Sequence, residues 1–277
     1  MSRLPGLAHA LIDDAAVFPP GNAPLAAAVA EHVAYRDSRY GPVVGPLLVP
    51  ASAVETLRTL ADPDQPLSIG LIADTGLAGA TAARDALQDD TWIELVHVEL
   101  RLPHDEGDDP ATATRNFLDG LTFTVPSYLE VPAGTDPRPA LQVLADDGAE
   151  RAKLRCGPVD VPPATSVAGF IHECARLKVS FKLTAGLHHA LPYEDADNGI
   201  TQHGFLNTLA ATWAAIDGAE VDTLTSLLST RNPDILLSVL DAADVAGLRS
   251  IYRSFGSCSI IEPYDELADL RLIDEEQ

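Results

Sequence analysis

Residues 151–186 read RAKLRCGPVDVPPATSVAGFIHECARLKVSFKLTAG, and this stretch decides the fold. Residues 151–156 and 179–185 are short runs of strand length, and each is followed by a glycine turn. Between them, residues 165–177 repeat apolar side chains at intervals of three and four, which is the spacing of one helix face. A strand, a helix and a second strand in this order predict a βαβ unit with two parallel strands.

The same alternation extends over most of the chain. Further strands are predicted at 43–49, 67–73, 92–99, 126–131 and 257–261. Further helices are predicted at 53–60, 78–87, 111–118 and 138–144. An eighth strand is expected from either 234–240 or 11–18, and the Pro-Pro-Gly that follows would end the second of these.

This ladder predicts an α/β fold, and specifically a (β/α)8 TIM-like barrel rather than an open doubly wound sheet. We expect one domain over residues 1–277, a length that single barrels commonly have. Residues 1–40 would pack against the barrel or close it, and the closure could be irregular.

Composition excludes several classes of function. The net charge of −23 disfavours nucleic acid and anionic membranes, whose binding relies on clustered Lys and Arg. The acidic runs at 105–109 and 274–276 are interpreted as solvated surface. Three cysteines without a CxxC pair, no evident signal peptide and no long apolar run indicate a reducing, cytoplasmic compartment. The expected partner is a small anionic substrate, and homo-oligomerisation is left open.

The chain contains only three lysines, Lys153, Lys178 and Lys182, and two of them lie inside predicted strands. Lysine is unusual in a strand interior because its ammonium group must be paired or kept wet. Strand alternation places Lys153 with Arg155 on one face, and Lys182 with Thr184 on the matching face of the next strand. The apolar alternates would face the helices, so these polar side chains are expected inside the barrel, near its carboxyl-terminal mouth.

Such a pocket could bind a small anion through Arg155, with Thr184 beside it. Crowded cations would lower the pKa of Lys182 and favour the neutral amine that attacks a carbonyl carbon, with Lys153 tuning it. Glu130, at the end of a predicted strand, could act as acid, base or partner of Lys153. A buried ion pair with Glu130 or another strand carboxylate is the alternative interpretation of the lysines.

Residues 187–202 are polar, rich in Asp and placed where a barrel carries its active-site loops, so they are predicted to form a lid or binding loop. His188 and His189 could serve as general acid or base, or could join His203 as metal ligands. His203 and Asn207 are four residues apart on one helix face and could hold an anion or an oxyanion. Surface positions for the paired histidines and a capping role for His203 are equally open.

Residues 255–263 form a run of small residues that suits close approach of a substrate, in a region where barrels often bind phosphate. Ser257 and Ser259 are therefore candidate substrate-binding residues. Cys258 is expected to be a packed thiol rather than a nucleophile. Residues 13–20, DDAAVFPP, could plug or line the barrel, and an architectural role is expected for them.

The two lysine strands resemble those of class I aldolases of the deoxyribose-phosphate aldolase type. In such enzymes a Schiff-base lysine lies on a barrel strand in a run that ends in small residues and glycine, and residues 182–186, KLTAG, match it. The flanking order differs, because the Lys-x-Arg strand comes first in this chain. The resemblance implies that Lys182 is the Schiff-base lysine and that Lys153 tunes it.

The chain as a whole also resembles an uncharacterised group of bacterial proteins that share five segments. These are FPP at 18–20, a Lys-x-Arg strand at 153–155, FKLTAGLHH at 181–189, HGFLN at 203–207 and FGSCS at 255–259. This resemblance implies a shared site and no particular reaction.

Three functional hypotheses follow. The first is a cofactor-free lyase or isomerase that acts on a keto acid or sugar phosphate through Lys182 as Schiff-base nucleophile. The second is a metal-dependent hydrolase or isomerase in which histidines and Glu130 hold a divalent ion and the lysines bind substrate. The third is a non-catalytic barrel that binds a small anion and would tolerate Lys182→Arg.

Overall fold

The computed structural model describes residues 2–102, 109–132, 134–148, 150–157, 160–196 and 199–273. Of the acidic runs expected on the surface, 274–276 lies outside these residues, and so does 105–109 apart from Asp109. Within the described ranges, no helix combines the length and the apolar character that crossing a bilayer would require.

Eight parallel strands close into a barrel, which confirms the predicted (β/α)8 architecture. The barrel strands are β1 (Ile12–Asp14), β2 (Val44–Pro50), β3 (Leu67–Ile72), β4 (Ile93–Arg101), β5 (Ser127–Glu130), β6 (Arg151–Arg155), β7 (Phe181–Thr184) and β10 (Tyr252–Ser257). A separate antiparallel hairpin consists of β8 (Tyr193–Glu194) and β9 (Thr201–Gln202). Around the barrel the order is β1-β10-β7-β6-β5-β4-β3-β2, so β1 lies between the last strand and β2.

The helices surround this barrel and cover the apolar outer faces of its strands. They are α1 (Leu25–Arg36), α2 (Val54–Leu60), α3 (Gly76–Leu87), α4 (Pro110–Asp119), α5 (Arg138–Asp147), α6 (Ala164–Leu177), α7 (Phe205–Ile216), α8 (Val221–Ser229), α9 (Pro233–Leu240), α10 (Val245–Ile251) and α11 (Ile261–Asp269), with a short 3-10 turn at Ala51–Ala53. Residues 205–212 of α7 are buried without exception, because α6, α8 and α9 pack around that helix. The chain from β7 to β10 therefore contains several helices, α7 to α10, where a regular βαβ unit has one.

The eighth strand is supplied by β1, within the predicted 11–18 segment, and the other candidate is wrong. Residues 233–240 form α9, where Asn232 accepts the amide of Asp234 and Pro233 occupies the first helical position. Its buried leucines, Leu236, Leu237 and Leu240, follow helical rather than strand spacing.

The last strand was predicted too late in the sequence. It covers Tyr252–Ser257 rather than 257–261, and its register pairs Tyr252 with Phe181 and Gly256 with Thr184. The apolar residues Ile260 and Ile261 belong to the start of α11. The small and apolar residues after Phe255 are compatible with a strand as well as with a helix start. Composition alone therefore misplaced the start of the last strand.

Candidate functional site

Lys153 and Lys182 are direct neighbours in register on β6 and β7, and Arg155 is paired with Thr184 in the same way. This is the arrangement that strand alternation predicts. Lys182 is fully buried, and its ammonium group is bonded to the carboxylates of Asp13 on β1 and Glu99 on β4. The lysine thus ties together strands on different sides of the barrel.

Lys153 continues this network toward the mouth of the barrel. Its Nζ lies 2.8 Å from an oxygen of Glu99 and 2.8 Å from an oxygen of Glu130. Glu130 also accepts from the guanidinium of Arg101 at 3.2 Å. Asp13, Lys182, Glu99, Lys153 and Glu130 therefore form one chain of alternating charges, which we call the charge network.

The expected lowering of the Lys182 pKa is wrong. Burial alone would lower that pKa, but Asp13 and Glu99 raise it above its ordinary value because both carboxylates contact the ammonium. The cations that were expected to crowd Lys182 are screened from it by these carboxylates. In the resting protein Lys182 is an ammonium ion, which matches the alternative interpretation of a buried ion pair.

The pKa values of two carboxylates in the charge network, Glu99 and Glu130, are shifted downward instead. Burial would raise the pKa of Glu99, but Lys153, Lys182 and His97 hold it well below its usual range. Glu130 behaves similarly, since Lys153 and Arg101 outweigh its burial and lower its pKa. Both groups are therefore ionised at neutral pH, so neither carries a proton in the resting protein.

Further polar groups surround the network inside the barrel. His97 Nε2 lies 3.2 Å from Glu99, and Ser254 donates to Asp13 at 2.7 Å. Two glycines leave room for the side chains of His97 and Asp13, because a glycine has no Cβ. A Cβ at Gly70 would lie 2.3 Å from His97 Nε2, and a Cβ at Gly45 would lie 2.3 Å from an Asp13 carboxylate oxygen.

A cavity of about 580 Å³, which includes space open to solvent, lies at the carboxyl-terminal mouth beside the charge network. Glu99, Lys153, Arg155 and Thr184 line it from the strands. Residues 15 and 18–20 line it from the turn after β1, as the sequence had suggested for that segment. Arg155 is exposed and, among the described residues, has no ion-pair partner, so its guanidinium is available to an anion.

A second pocket lies outside this cavity and shares part of its wall, including His188 and Cys258. Strand β8 and the two residues that follow it within the hairpin line this outer pocket, so part of the 187–202 segment lies at the mouth of the barrel. The segment is more regular than the expected loop because β8 and β9 pair within it. Its residues Asp197 and Asn198 lie outside the described ranges.

The two adjacent histidines are both anchored to α11. His188 lines both pockets, and its Nδ1 lies 3.1 Å from Glu262. His189 lines only the outer pocket, with Nδ1 2.6 Å from Glu266. Of the two, only His188 reaches the cavity that contains Lys153.

His203, a candidate for holding an anion or a metal ion, does not lie with the lysines. His203 is buried away from the described cavity lining, its Nε2 lies 2.8 Å from the carbonyl of Pro162, and burial lowers its pKa. Asn207 donates to the carbonyls of Leu227 and Thr230, which fixes α7 against α8. Both bonds use the side-chain nitrogen of Asn207, whereas its buried Oδ1 has no hydrogen-bond partner among the described residues.

Ser257, at the end of β10, and Ser259, just after that strand, bond to local backbone, and neither lines the inner cavity. The Ser257 hydroxyl accepts from the amide of Ser259 at 3.2 Å, and the Ser259 hydroxyl accepts from the amide of Glu262 at 3.2 Å. Ser259 does line the outer pocket. The inner cavity is approached by Gly256 and Cys258 of this run.

Three residues of the site were missed from the sequence, namely Asp13, His97 and Glu99. The last two occupy alternate positions of β4, so they share one strand face for the same reason as Lys153 and Arg155. Charged residues in the interior of a predicted strand were the available signal for both. Asp13 carried no comparable signal, because its strand is only three residues long.

No family model and no curated protein matches the chain. The (β/α)8 barrel is compatible with an enzyme such as a lyase or an isomerase, because this fold places its reactive groups at the carboxyl-terminal mouth.

Proposed function

We propose that the protein is a lyase or isomerase that acts on a small anionic carbonyl compound through a Schiff-base lysine. The observation that carries this proposal is the juxtaposition of Lys153 and Arg155 on the wall of one cavity at the carboxyl-terminal mouth. The guanidinium would bind a carboxylate or phosphate, and the lysine would meet the carbonyl carbon of the same molecule. A keto acid or a sugar phosphate has both groups.

The geometry favours Lys153 over Lys182 as the nucleophile. Lys182 is fully buried and held by two carboxylates, whereas Lys153 lines the cavity. Lys153 also contacts Glu130 at 2.8 Å, so a carboxylate that can take its proton is already in place. Lys182 would then fix Glu99 and tune the site, which reverses the roles that the aldolase resemblance implies.

The chemical step balances without a co-reactant. The Lys153 ammonium passes one proton to Glu130, and its free amine adds to the carbonyl carbon. The carbonyl oxygen leaves as water with two protons, one returned through Glu130 and one from the nitrogen. An iminium ion remains on Nζ, and it withdraws electrons from the neighbouring carbon–carbon or carbon–hydrogen bond that is to be broken.

Borohydride trapping tests this proposal. The protein is incubated with pyruvate, acetaldehyde or dihydroxyacetone phosphate, reduced, and digested after glutamate. That digestion separates residues 151–173, which contain Lys153, from residues 174–194, which contain Lys178 and Lys182. A stable added mass is expected on 151–173, and it should vanish in Lys153→Arg. The matched control is Lys178→Arg, because Lys178 is exposed.

Other outcomes discriminate between the hypotheses. An adduct on 174–194 that survives Lys178→Arg would return the nucleophile to Lys182 and leave the Schiff-base mechanism intact. If Lys153→Arg and Lys182→Arg both behave as the wild type does, the hypothesis of a non-catalytic anion-binding barrel replaces that of an enzyme. Those substitutions preserve the positive charge but remove the amine.

A metal-dependent enzyme is the second candidate, and one observation favours it. Asp13, His97 and Glu99 can each offer a ligand atom, and these atoms lie within 4.8 Å of one another. They are not the set expected from the sequence, which combined Glu130 with the histidines of 187–203. The Lys182 ammonium contacts two of the three, so a divalent ion would have to compete with it. Metal analysis of tag-free protein, with activity loss on chelation, would establish this reading and overturn the lysine chemistry.

A further inference from the structure

Cys258, His188 and Glu262 form a chain of contacts at the boundary between the two pockets. The Cys258 Sγ lies 3.6 Å from His188 Nε2 and 4.0 Å from His188 Nδ1. Nδ1 in turn lies 3.1 Å from a carboxylate oxygen of Glu262. A thiol, an imidazole and a carboxylate in this order are the groups of a proton-transfer unit, in which the third group orients the second.

The positions of these three groups relative to the two pockets define a direction for proton transfer, from solvent to the inner cavity. Cys258 and His188 line both the inner cavity and the outer pocket, whereas Glu262 lines only the outer one. The side chain of Glu262 is about half exposed and that of His188 is 13% exposed. A proton can therefore pass from solvent to the inner cavity through groups that are already in contact.

The remaining ionisable groups on the cavity wall are unsuited to donate a proton. Glu99 is bonded to both lysines, and its pKa is held well below its usual range despite burial. Lys153 is the proposed nucleophile, and the Arg155 guanidinium does not deprotonate in proteins. Among the described lining residues, this leaves His188 and Cys258.

The surroundings of Cys258 favour a neutral thiol at rest. Burial is the main cause that raises its pKa, and the carboxylates of Glu262 and Asp14 act in the same direction. The backbone amides of Gly21 and of Cys258 itself act in the opposite direction and lower that pKa. Tyr193 also faces this group, and the cations that share its cavity are those of β6, Lys153 and Arg155.

We infer that Cys258 and His188 are the proton-transfer pair of this cavity, with Glu262 positioning His188. This inference rests on the proposed function for its substrate, a carbonyl compound whose carbon must gain or lose a proton once it is bound to Lys153. Cys258 gives the proton of its Sγ to that carbon and becomes a thiolate. His188 then returns a proton to Sγ and is itself reprotonated from solvent in the outer pocket.

The first experiment needs no substrate. Iodoacetamide should alkylate the native protein selectively at Cys258, because Cys156 and Cys174 are fully buried, and Cys258→Ser provides the blank. The rate is measured between pH 5 and pH 11 in the wild type, in His188→Asn and in the matched control His172→Asn. A partner that stabilises the thiolate by about one pKa unit or more raises the thiolate fraction at least tenfold below the thiol pKa.

We expect His188→Asn to lower the alkylation rate near pH 7 by about tenfold or more and to leave the plateau rate at high pH within about twofold. His172→Asn should match the wild type, and Glu262→Gln should show a smaller decrease than His188→Asn. Superimposable pH profiles for the wild type and His188→Asn would overturn the inference. A merely structural role for His188 would change the plateau rate as well, since it would alter access to the sulfur.

The second experiment separates this inference from the proposed function. A Cys258→Ser variant should still form the borohydride-trapped adduct on residues 151–173, but it should lose most of the exchange of substrate carbon-bound hydrogen with deuterated water. Unchanged exchange in that variant overturns the role of Cys258 and leaves the lysine chemistry standing. If no adduct forms while the alkylation profile shows the coupling, the Schiff-base proposal fails and the thiol–imidazole pair remains.

Discussion

Lys182 and Asp13 form a buried ion pair although 169 residues separate them in the chain. Their strands, β7 and β1, are the two neighbours of β10 in the barrel, so the pair spans the last strand. Lys182 is 0% exposed and Asp13 is 2% exposed. Water therefore cannot screen either charge, and each depends on the other for its neutralisation.

Removal of this ammonium group should be strongly destabilising. In Lys182→Met the carboxylates of Asp13 and Glu99 remain buried without their shared cation, and loss of one partner of a buried pair costs roughly 3–5 kcal/mol. Urea unfolding followed by circular dichroism measures the change. Asp13→Asn in the same chain should recover part of the loss, since it removes one of the stranded charges. A Lys182→Met variant as stable as Lys178→Met would contradict the buried pair.

Acid should destabilise the protein through the two low-pKa carboxylates. The pKa values of Glu99 and Glu130 are lowered from their ordinary value of 4.5, so below that pH the unfolded chain binds more protons than the folded one. Their contribution is complete above about pH 4.5 and declines as the pH falls through the folded pKa values. Lys153→Met should flatten this dependence, because it removes a cation that both carboxylates share. Unfolding free energies measured from pH 2 to pH 7 test the slope.

Alkali should act through Lys182 with the opposite sign. Its pKa is raised above the ordinary value of 10.5, so the stabilisation is complete below that pH and is lost as the pH rises through the folded value. A shallow decline in stability that begins only above about pH 10.5 is expected, and Lys182→Met should lack it. A decline that starts near neutrality would mean that Lys182 titrates far below its ordinary value.

Arg155 should contribute to ligand binding and not to stability. Its guanidinium lines the cavity without an ion-pair partner among the described residues, so Arg155→Gln should change the unfolding free energy by less than about 0.5 kcal/mol. A hydrogen bond to a charged group is worth roughly 1.5–3 kcal/mol, so affinity for a small carboxylate should fall about tenfold to a hundredfold. Titration calorimetry with pyruvate measures the affinity. Arg151→Gln, altered on the same strand, should bind normally.

The segment 187–202 should behave as a movable cover of the mouth. In the part of this segment that the structure describes, two short strands organise its far end, and bonds from His189 and the Ala190 amide to Glu266 hold its base. Hydrogen exchange followed by mass spectrometry should show faster exchange around the hairpin than in β7, and slower exchange there when a ligand occupies the cavity. Amides that are as protected in the free protein as those of β7 would contradict a lid.

The fold was predictable because its elements are local patterns. Six of the eight strands were placed within a few residues, and each is a short apolar run bounded by helical spacing or a turn. β1 and β10 were harder to place, since three residues carry no periodicity and the run after Phe255 is compatible with either a strand or a helix start. Among the helices between β7 and β10, α7 is buried along residues 205–212, so polar residues do not mark one face of that helix and its period is hidden.

The site was predictable only where strand alternation applied. It brought Lys153, Arg155, Lys182 and Thr184 to one face, but it could not show which charge neutralises which. That depended on contacts between strands far apart in sequence, above all those of Asp13 and Glu99. The misplacement of His203 has the same origin, because helix spacing fixes a face of α7 without fixing where that face points.

The position of β1 between β10 and β2 also constrains the order in which this protein can be assembled during synthesis. Asp13 leaves the ribosome early, yet its partners Lys182 and Ser254 follow only 169 and 241 residues later. Until those residues are made, the Asp13 carboxylate, which is buried in the folded protein, stays in water. The barrel also cannot close between β1 and β10. Contacts of such long range form slowly, so the nascent chain exposes the edge of β1 that pairs with β10 for most of its translation, and that edge is open to non-native pairing until β10 is made.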